Sequence, residues 1–360
     1  MGKKTMRIIV NNTAASSGGA MSILKSFYDF IKNDEKAQEF EWIFLLNDKY
    51  ISETDNIKVR ILPEVKKNWF ERLKFDIYTG KKLLQSMEPD IVVSFQNTIT
   101  FGLNKPQILY MHQSIPFQKE KKFSLFKAPE RKLAVYQYFI GWFIKQSIKY
   151  ANHTVVQTNW IEKAVLEQTK ISQKKITSIM PPIKKSNIND DGNKQLEKNT
   201  FFYPANGAIY KNHEIIFKAI KILNDRGYKN FQVFLTLEQN GNDDHNIIYT
   251  GYLDHSTIMN YYKKTTLVFP SYIETIGLPL LEAKECGTMI LASETDFSHE
   301  ALLNYNNAYY FNPFNAEELA SLMEGVIVGN IIKEKTRLES NKEDSWSQFI
   351  EVILNESNCK

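Results

Sequence analysis

Short apolar runs alternate with stretches in which apolar residues recur every three to four positions, and the alternation restarts past the middle of the chain. In the first half, the runs at 7–12, 40–46, 90–95, 107–112 and 153–158 predict strands, several of them nearly unbroken in Val, Ile, Leu and Phe. Such runs suit strands covered on both faces, as in a parallel sheet. In the second half, strands are expected at 200–205, 231–237, 246–251, 266–271, 288–293 and 308–312, with helices at 212–226 and 316–328. The fold class read from this pattern is α/β, with two Rossmann-like doubly wound parallel-sheet domains facing a central crevice. Polar, charged residues dominate the segment between the two halves and mark it as a linker. The expected organisation is a first domain at 1–182, a linker at 183–199, a second domain at 200–335 and a tail at 336–360. Within that tail, Trp346, Phe349, Ile350 and Ile353 share one face of a helix expected at 345–354, which should dock back on the first domain.

Length and composition agree with two cores, since 360 residues with 43% hydrophobic content exceed what one ordinary domain needs. The 45 basic and 41 acidic residues leave a net charge of +4, too mild a bias for nucleic acid as the main partner. Cys286 and Cys359 are the only cysteines, which excludes a disulfide framework and a Cys-rich metal site. The chain has no apolar run long enough to span a bilayer, and its first residues lack a signal-peptide pattern, so a cytoplasmic location is expected.

The densest chemistry lies between Pro270 and Gly287. The strand at 266–271 runs into a loop carrying Glu274, and Pro279 sits where a first helical residue would, with Glu282 in the first turns. Amides of Thr275, Ile276, Gly277 and Leu278 would then face an anion at the positive end of the helix dipole, and Gly277 permits close approach. Ionised carboxylates are acceptors only, so Glu274 and Glu282 fit hydroxyls of a sugar and a ribose, and the arrangement suits a nucleotide-sugar. Lys211 lies at the carboxyl end of the second domain's first strand, where its charge could neutralise a diphosphate, with Asn206 nearby as a dipole. His112 ends the strand at 107–112 and should reach the crevice, with Gln96 and Asn97 as further polar groups at a neighbouring strand end. Gly18 and Gly19 lie in a loop between the first strand and a helix expected at 21–31, where they would face a diphosphate or leave room for an acceptor. That loop matches neither the dinucleotide fingerprint nor a Walker motif. The sequence has no His-rich metal spacing and no nucleophile elbow, which weakens metalloenzyme and hydrolase readings. The segments 65–74 and 117–126 mix Lys and Arg with Trp, Phe and Leu as interfacial segments do, while the aromatic stretch 130–150 reads as a core helix.

Taken together, Glu274 and Glu282 with seven residues between them, the run Tyr210, Lys211, Asn212 and His213, the run Tyr110, Met111, His112 and Gln113, and the Gly18–Gly19 pair resemble the retaining Glu-x7-Glu nucleotide-sugar glycosyltransferases, a glycosyltransferase family 4-like group of GT-B fold. The resemblance covers nearly the whole chain. It implies catalytic roles for Glu274, Lys211 and His112, with Glu274 on the donor sugar, Lys211 on the diphosphate, His112 meeting the sugar from the first domain and Glu282 on the ribose. It also implies metal-independent transfer with retention, no cofactor, and an acceptor that is a glycan or lipid-linked oligosaccharide in surface polysaccharide biosynthesis, with the protein peripheral on a membrane. One departure is that family members commonly carry an Arg a few residues before the phosphate lysine, and 205–210 has none. A sugar phosphorylase or nucleotide-sugar epimerase on the same scaffold, or a non-catalytic glycan- or nucleotide-binding partner of a synthase, are the alternatives.

Overall fold

The computed structural model describes residues 5–15, 18–182, 199–239, 244–334 and 345–358. Two all-parallel sheets dominate it. The first contains β1 (Arg7–Asn12), β2 (Glu41–Leu46), β3 (Ile57–Ile61), β4 (Ile91–Ser94), β5 (Gln107–Met111), β6 (His153–Val156) and β7 (Ile176–Ser178), in the order β3-β2-β1-β4-β5-β6-β7. The second contains β8 (Thr200–Tyr203), β9 (Gln232–Leu235), β10 (Ile247–Tyr249), β11 (Thr266–Phe269), β12 (Ile290–Ser293) and β13 (Ala308–Phe311), in the order β10-β9-β8-β11-β12-β13. Each sheet reverses its winding between neighbours that are not consecutive in sequence. Ile8 pairs with Ile91 across β1 and β4, and Thr266 pairs with Phe201 across β11 and β8. Crevices outside such reversal points are where ligands bind in doubly wound sheets.

The near-continuous apolar strands are explained by burial on both faces. Ile8 and Val10 point into a cluster with Phe27, Phe95 and Tyr110, whereas Ile9 points to the other side, among Leu45, Phe75 and Val92. Helix Gly18–Asn33 covers the first of these faces with Met21, Leu24, Phe27, Tyr28 and Ile31, the spacing of one helical stripe. The same cluster receives Trp346, Phe349, Ile350 and Ile353 from the C-terminal helix Ser345–Asn358, so the end of the chain packs on the first sheet as expected. The rings of Phe27 and Trp346 lie 5.0 Å apart, and the Trp346 indole N–H donates to Ser26 Oγ at 3.0 Å.

Three sequence-based expectations need correction. The short strands β3 and β7 were not expected; both are partly exposed edge strands, so their apolar pattern is broken. Helix Gly18–Asn33 starts at Gly18, which places both glycines in its first turn instead of a preceding loop. The stretch 130–150 is helical, with a π-helical segment at Tyr136–Ile140, but it is not wholly core: Ile140, Ile144 and Ile148 are buried while Phe139, Trp142 and Tyr150 are exposed. The linker expected at 183–199 lies outside the described residues except for Asn199.

Candidate active site

Lys211 and Glu274 come together at the carboxyl ends of the adjacent strands β8 and β11. Their Nζ and Oε1 atoms are 2.5 Å apart, with side chains only 15% and 16% exposed. Ser271, fully buried at the end of β11, donates its hydroxyl to the same Oε1 at 2.8 Å. The short 3-10 turn Ile209–Lys211 presents the lysine, and the buried Tyr203 phenol donates to the Lys211 carbonyl at 2.9 Å. Asn212, in a left-handed conformation, then ties this turn to two other strand ends through the carbonyls of Pro270 and Pro313. This polar scaffold holds an ammonium and a carboxylate at fixed positions.

The loop after Glu274 spans the crevice. Thr275 donates its hydroxyl to the His112 carbonyl at 3.1 Å, and its own carbonyl accepts from the Trp160 indole at 2.8 Å and the Thr158 hydroxyl at 3.2 Å. The Glu300 carboxylate meanwhile accepts the amides of Asn159 and Trp160 at the start of helix Asn159–Thr169. First and second domains are therefore stitched together beside the Lys211–Glu274 pair. Gly277 follows at φ 75°, ψ 50°, a left-handed conformation that disfavours a side chain, and opens helix Leu278–Glu285 with Pro279 in its first turn. No described residue accepts a hydrogen bond from the amides of Ile276, Gly277 or Leu278. That leaves the helix start with donors for an anion.

His112 lies at the end of β5. Its backbone amide donates to Asn97 Oδ1 at 2.8 Å, and Asn97 Nδ2 faces its Nε2 at 3.3 Å. Burial, aided by the nearby Arg72 guanidinium, pushes the imidazole down to about 4, so the ring is neutral at physiological pH. Glu282 sits apart from the Lys211 pair, held by His255 at 3.2 Å and the Tyr262 hydroxyl at 3.4 Å, and burial raises its carboxyl above the ordinary range. Asn206 is exposed and accepts locally from the Ala208 amide at 3.1 Å. Gly18 and Gly19 face open space, with no atom near where a Cβ would lie, and no described contact joins them to Lys211 or Glu274. Sequence reasoning missed Ser271, Tyr203 and Trp160, which look like ordinary strand and helix residues in sequence. Among the described residues, no three His, Cys, Asp or Glu side chains converge as metal ligands.

This geometry, two doubly wound sheets with their strand ends facing one crevice, defines the GT-B fold. Residues 184–344 match the family model described as glycosyl transferases group 1. The chain is 22% identical over 311 residues to the O-antigen chain mannosyltransferase RfbU of Salmonella typhimurium, covering 79% of this chain and 84% of that protein. Among solved structures it is similar to WaaG, a glycosyltransferase involved in lipopolysaccharide biosynthesis, with TM-score 0.62 and 14% identity over 89% of this chain and 90% of that one. It is also similar to Anabaena Alr3699/HepE in complex with UDP-glucose, with TM-score 0.57 and 13% identity over 90% of each chain.

Proposed function

We propose that this protein is a retaining, metal-independent glycosyltransferase that moves a hexosyl or deoxyhexosyl unit from a nucleotide-sugar to a glycan acceptor, carried on a lipid, in the synthesis of a surface polysaccharide such as O-antigen or capsule. The observation that carries this reading is the convergence of Lys211, Glu274 and the unpartnered amides of Ile276, Gly277 and Leu278 on one side of the crevice with His112 on the other. A lysine beside a helix N-terminus stabilises the charge that develops on a leaving nucleoside diphosphate. Glu274, released from Lys211 when phosphate takes the ammonium, accepts from donor hydroxyls, and Glu282 accepts from the ribose. The roles of RfbU in O-antigen chains and of WaaG in lipopolysaccharide biosynthesis support a polysaccharide or lipopolysaccharide setting, and UDP-glucose in the HepE structure supports a nucleotide-sugar donor. A peripheral position on the cytoplasmic membrane face is supported by the exposed aromatic and basic residues of the first domain.

A panel of nucleotide-sugars screened by thermal shift identifies the donor, because a ligand that binds only the folded state raises the melting temperature. With that donor and an acceptor extract, Lys211→Ala and Glu274→Ala are each expected to lower kcat by about a hundredfold or more while circular dichroism stays native. Wild-type turnover by Glu274→Ala removes that residue from the mechanism. Release of nucleoside diphosphate at the same rate with and without acceptor removes the transferase reading.

A further inference from the structure

Behind His112 lies a buried ionic cluster that the proposed reaction does not itself use. Arg72, on helix Trp69–Lys74, donates from its guanidinium to the Gln96 carbonyl and to Thr98 Oγ1, the latter at 3.3 Å. Thr98 in turn donates its hydroxyl to Asp76 Oδ2 at 2.7 Å, and Asp76 is only 3% exposed. The Asp76 carbonyl accepts the Phe101 amide at 2.7 Å, and Ser94 donates its hydroxyl to the Thr98 carbonyl at 2.6 Å. Both flanks of the turn 96–98 are therefore gripped, while Asn97 at its centre stands at φ 63°. Asn97 points at His112.

The orientation of the Asn97 amide follows from its partners. The His112 backbone N–H can only donate, so the Asn97 atom facing it at 2.8 Å is the carbonyl oxygen. The Asn97 nitrogen, a donor only, then faces His112 Nε2 at 3.3 Å and requires that atom to be an unprotonated acceptor. The ring proton therefore sits on Nδ1, which is buried without a partner among the described residues. The guanidinium also disfavours a second proton on the ring.

We propose that Arg72 and Asp76 are positioning residues for the transfer reaction: through Thr98 and the Gln96 carbonyl they hold the turn 96–98 so that Asn97 fixes the orientation and tautomer of His112. The proposal rests on the reading that His112 meets the donor sugar. Neither Arg72 nor Asp76 has a described hydrogen bond or ion pair to the second domain, so their effect runs through His112.

Three variants separate this role from a general structural one. Arg72→Met keeps the stem and removes the donors, Arg72→Lys restores a charge, and Thr98→Val removes only the hydroxyl shared between Arg72 and Asp76. Expected for Arg72→Met is a kcat lowered by about a hundredfold, the scale of misplaced catalytic groups, with donor KM within about twofold of wild type and part of the loss recovered in Arg72→Lys. The nitrogen resonances of the His112 ring, read by long-range correlation spectra, should move from the Nδ1-protonated pattern toward a tautomer mixture. Should Arg72→Met fail to fold, Thr98→Val is read in the same way. An unchanged ring pattern overturns the proposal, as does a loss that falls equally on kcat and donor binding. Should wild-type protein transfer no sugar at all, the functional reading falls, and the ring spectrum still decides whether Arg72 and Asp76 orient His112.

Discussion

His213 and His112 each lose proton affinity on folding, and both are pushed down to about 4 chiefly by burial. His213 is 7% exposed, lies against the Tyr203 ring at a centroid distance of 5.0 Å, and leaves Nε2 without a partner among the described residues. Because its folded value lies below its unfolded one, the unfolded chain binds the extra proton first as pH falls. The stability it contributes is complete above the unfolded value near 6.5 and is lost as pH falls toward 4. Acidification from about pH 7 to about pH 5 should cost about 2 kcal/mol through this group alone. Asp76 has the opposite sign, since burial raises it to about 6 and its share of stability declines as pH rises from its usual range through that value. His213→Phe, of similar shape and uncharged, should therefore show a smaller fall in urea-unfolding free energy over the same pH interval. Parallel falls in wild type and variant exclude His213 as the source. Lys211, Glu274 and His112 were legible as candidates from strand ends and one motif. The Arg72–Thr98–Asp76 cluster was not, because nothing in the sequence separates a buried Arg from an interfacial one in a stretch that mixes Lys, Trp and Phe.

At the scale of elements, the C-terminal helix Ser345–Asn358 shows how far a hydrophobic stripe alone can specify a contact. Trp346 is 2% exposed and meets Phe27 and Tyr110, residues more than two hundred positions away in the chain. Trp346→Ala should cost about 3–5 kcal/mol, the range for emptying an aromatic site in a core. The loss should appear in the first domain: chemical denaturation of that variant is expected to lower the midpoint of amide protection in β1 and β4, with β8 and β11 unchanged. Equal loss in both sheets would contradict the assignment of this helix to the first core. Strands β1, β2, β4, β5 and β6 and all six strands of the second sheet were legible; in β8, β11 and β12, as in the first sheet's inner strands, burial on both faces writes itself as an unbroken apolar run. Edge strands β3 and β7 escaped because an exposed face admits Lys58, Arg60 and Thr177, which break the run. The helical stretch 131–150 was misjudged for a related reason. Aromatic residues suit a buried face and a lipid-facing one equally well, so composition does not choose between them.

For the whole molecule, most of the exposed aromatic residues among those described belong to the first domain, with Tyr252 and Phe314 in the second. Phe70, Phe126, Phe139, Trp142 and Tyr150 are 79%, 94%, 61%, 56% and 70% exposed, and all belong to the first domain. A groove lined by Trp69, Arg131, Lys132, Val135 and Tyr136 joins the helix at 69–74 to the one beginning at Arg131. Exposed Lys66, Lys67, Lys74 and Lys127 border the same segments. Of the two stretches expected to be interfacial, only part of each is presented outward, since Phe117 and Phe123 are buried in the domain while Phe126 is not. None of the helices among the described residues is long and apolar enough to cross a membrane. Aromatic side chains interleaved with cations on an exposed face match an anionic bilayer, whose headgroups attract the lysines while the rings enter the interface. A lipid-carried acceptor would then be delivered on the side of the first domain. Purified protein should sediment with vesicles containing anionic phospholipid and should remain in solution with phosphatidylcholine alone. Each basic residue near an anionic surface contributes about 1 kcal/mol, so neutralising Lys66, Lys67 and Lys132 together should weaken partitioning roughly a hundredfold. Phe139→Ser with Trp142→Ser should weaken it while preserving its salt dependence, because the charges that set that dependence remain. Equal binding to neutral and anionic vesicles, or none to either, would exclude this face as the membrane surface and leave the acceptor to reach the crevice from solution.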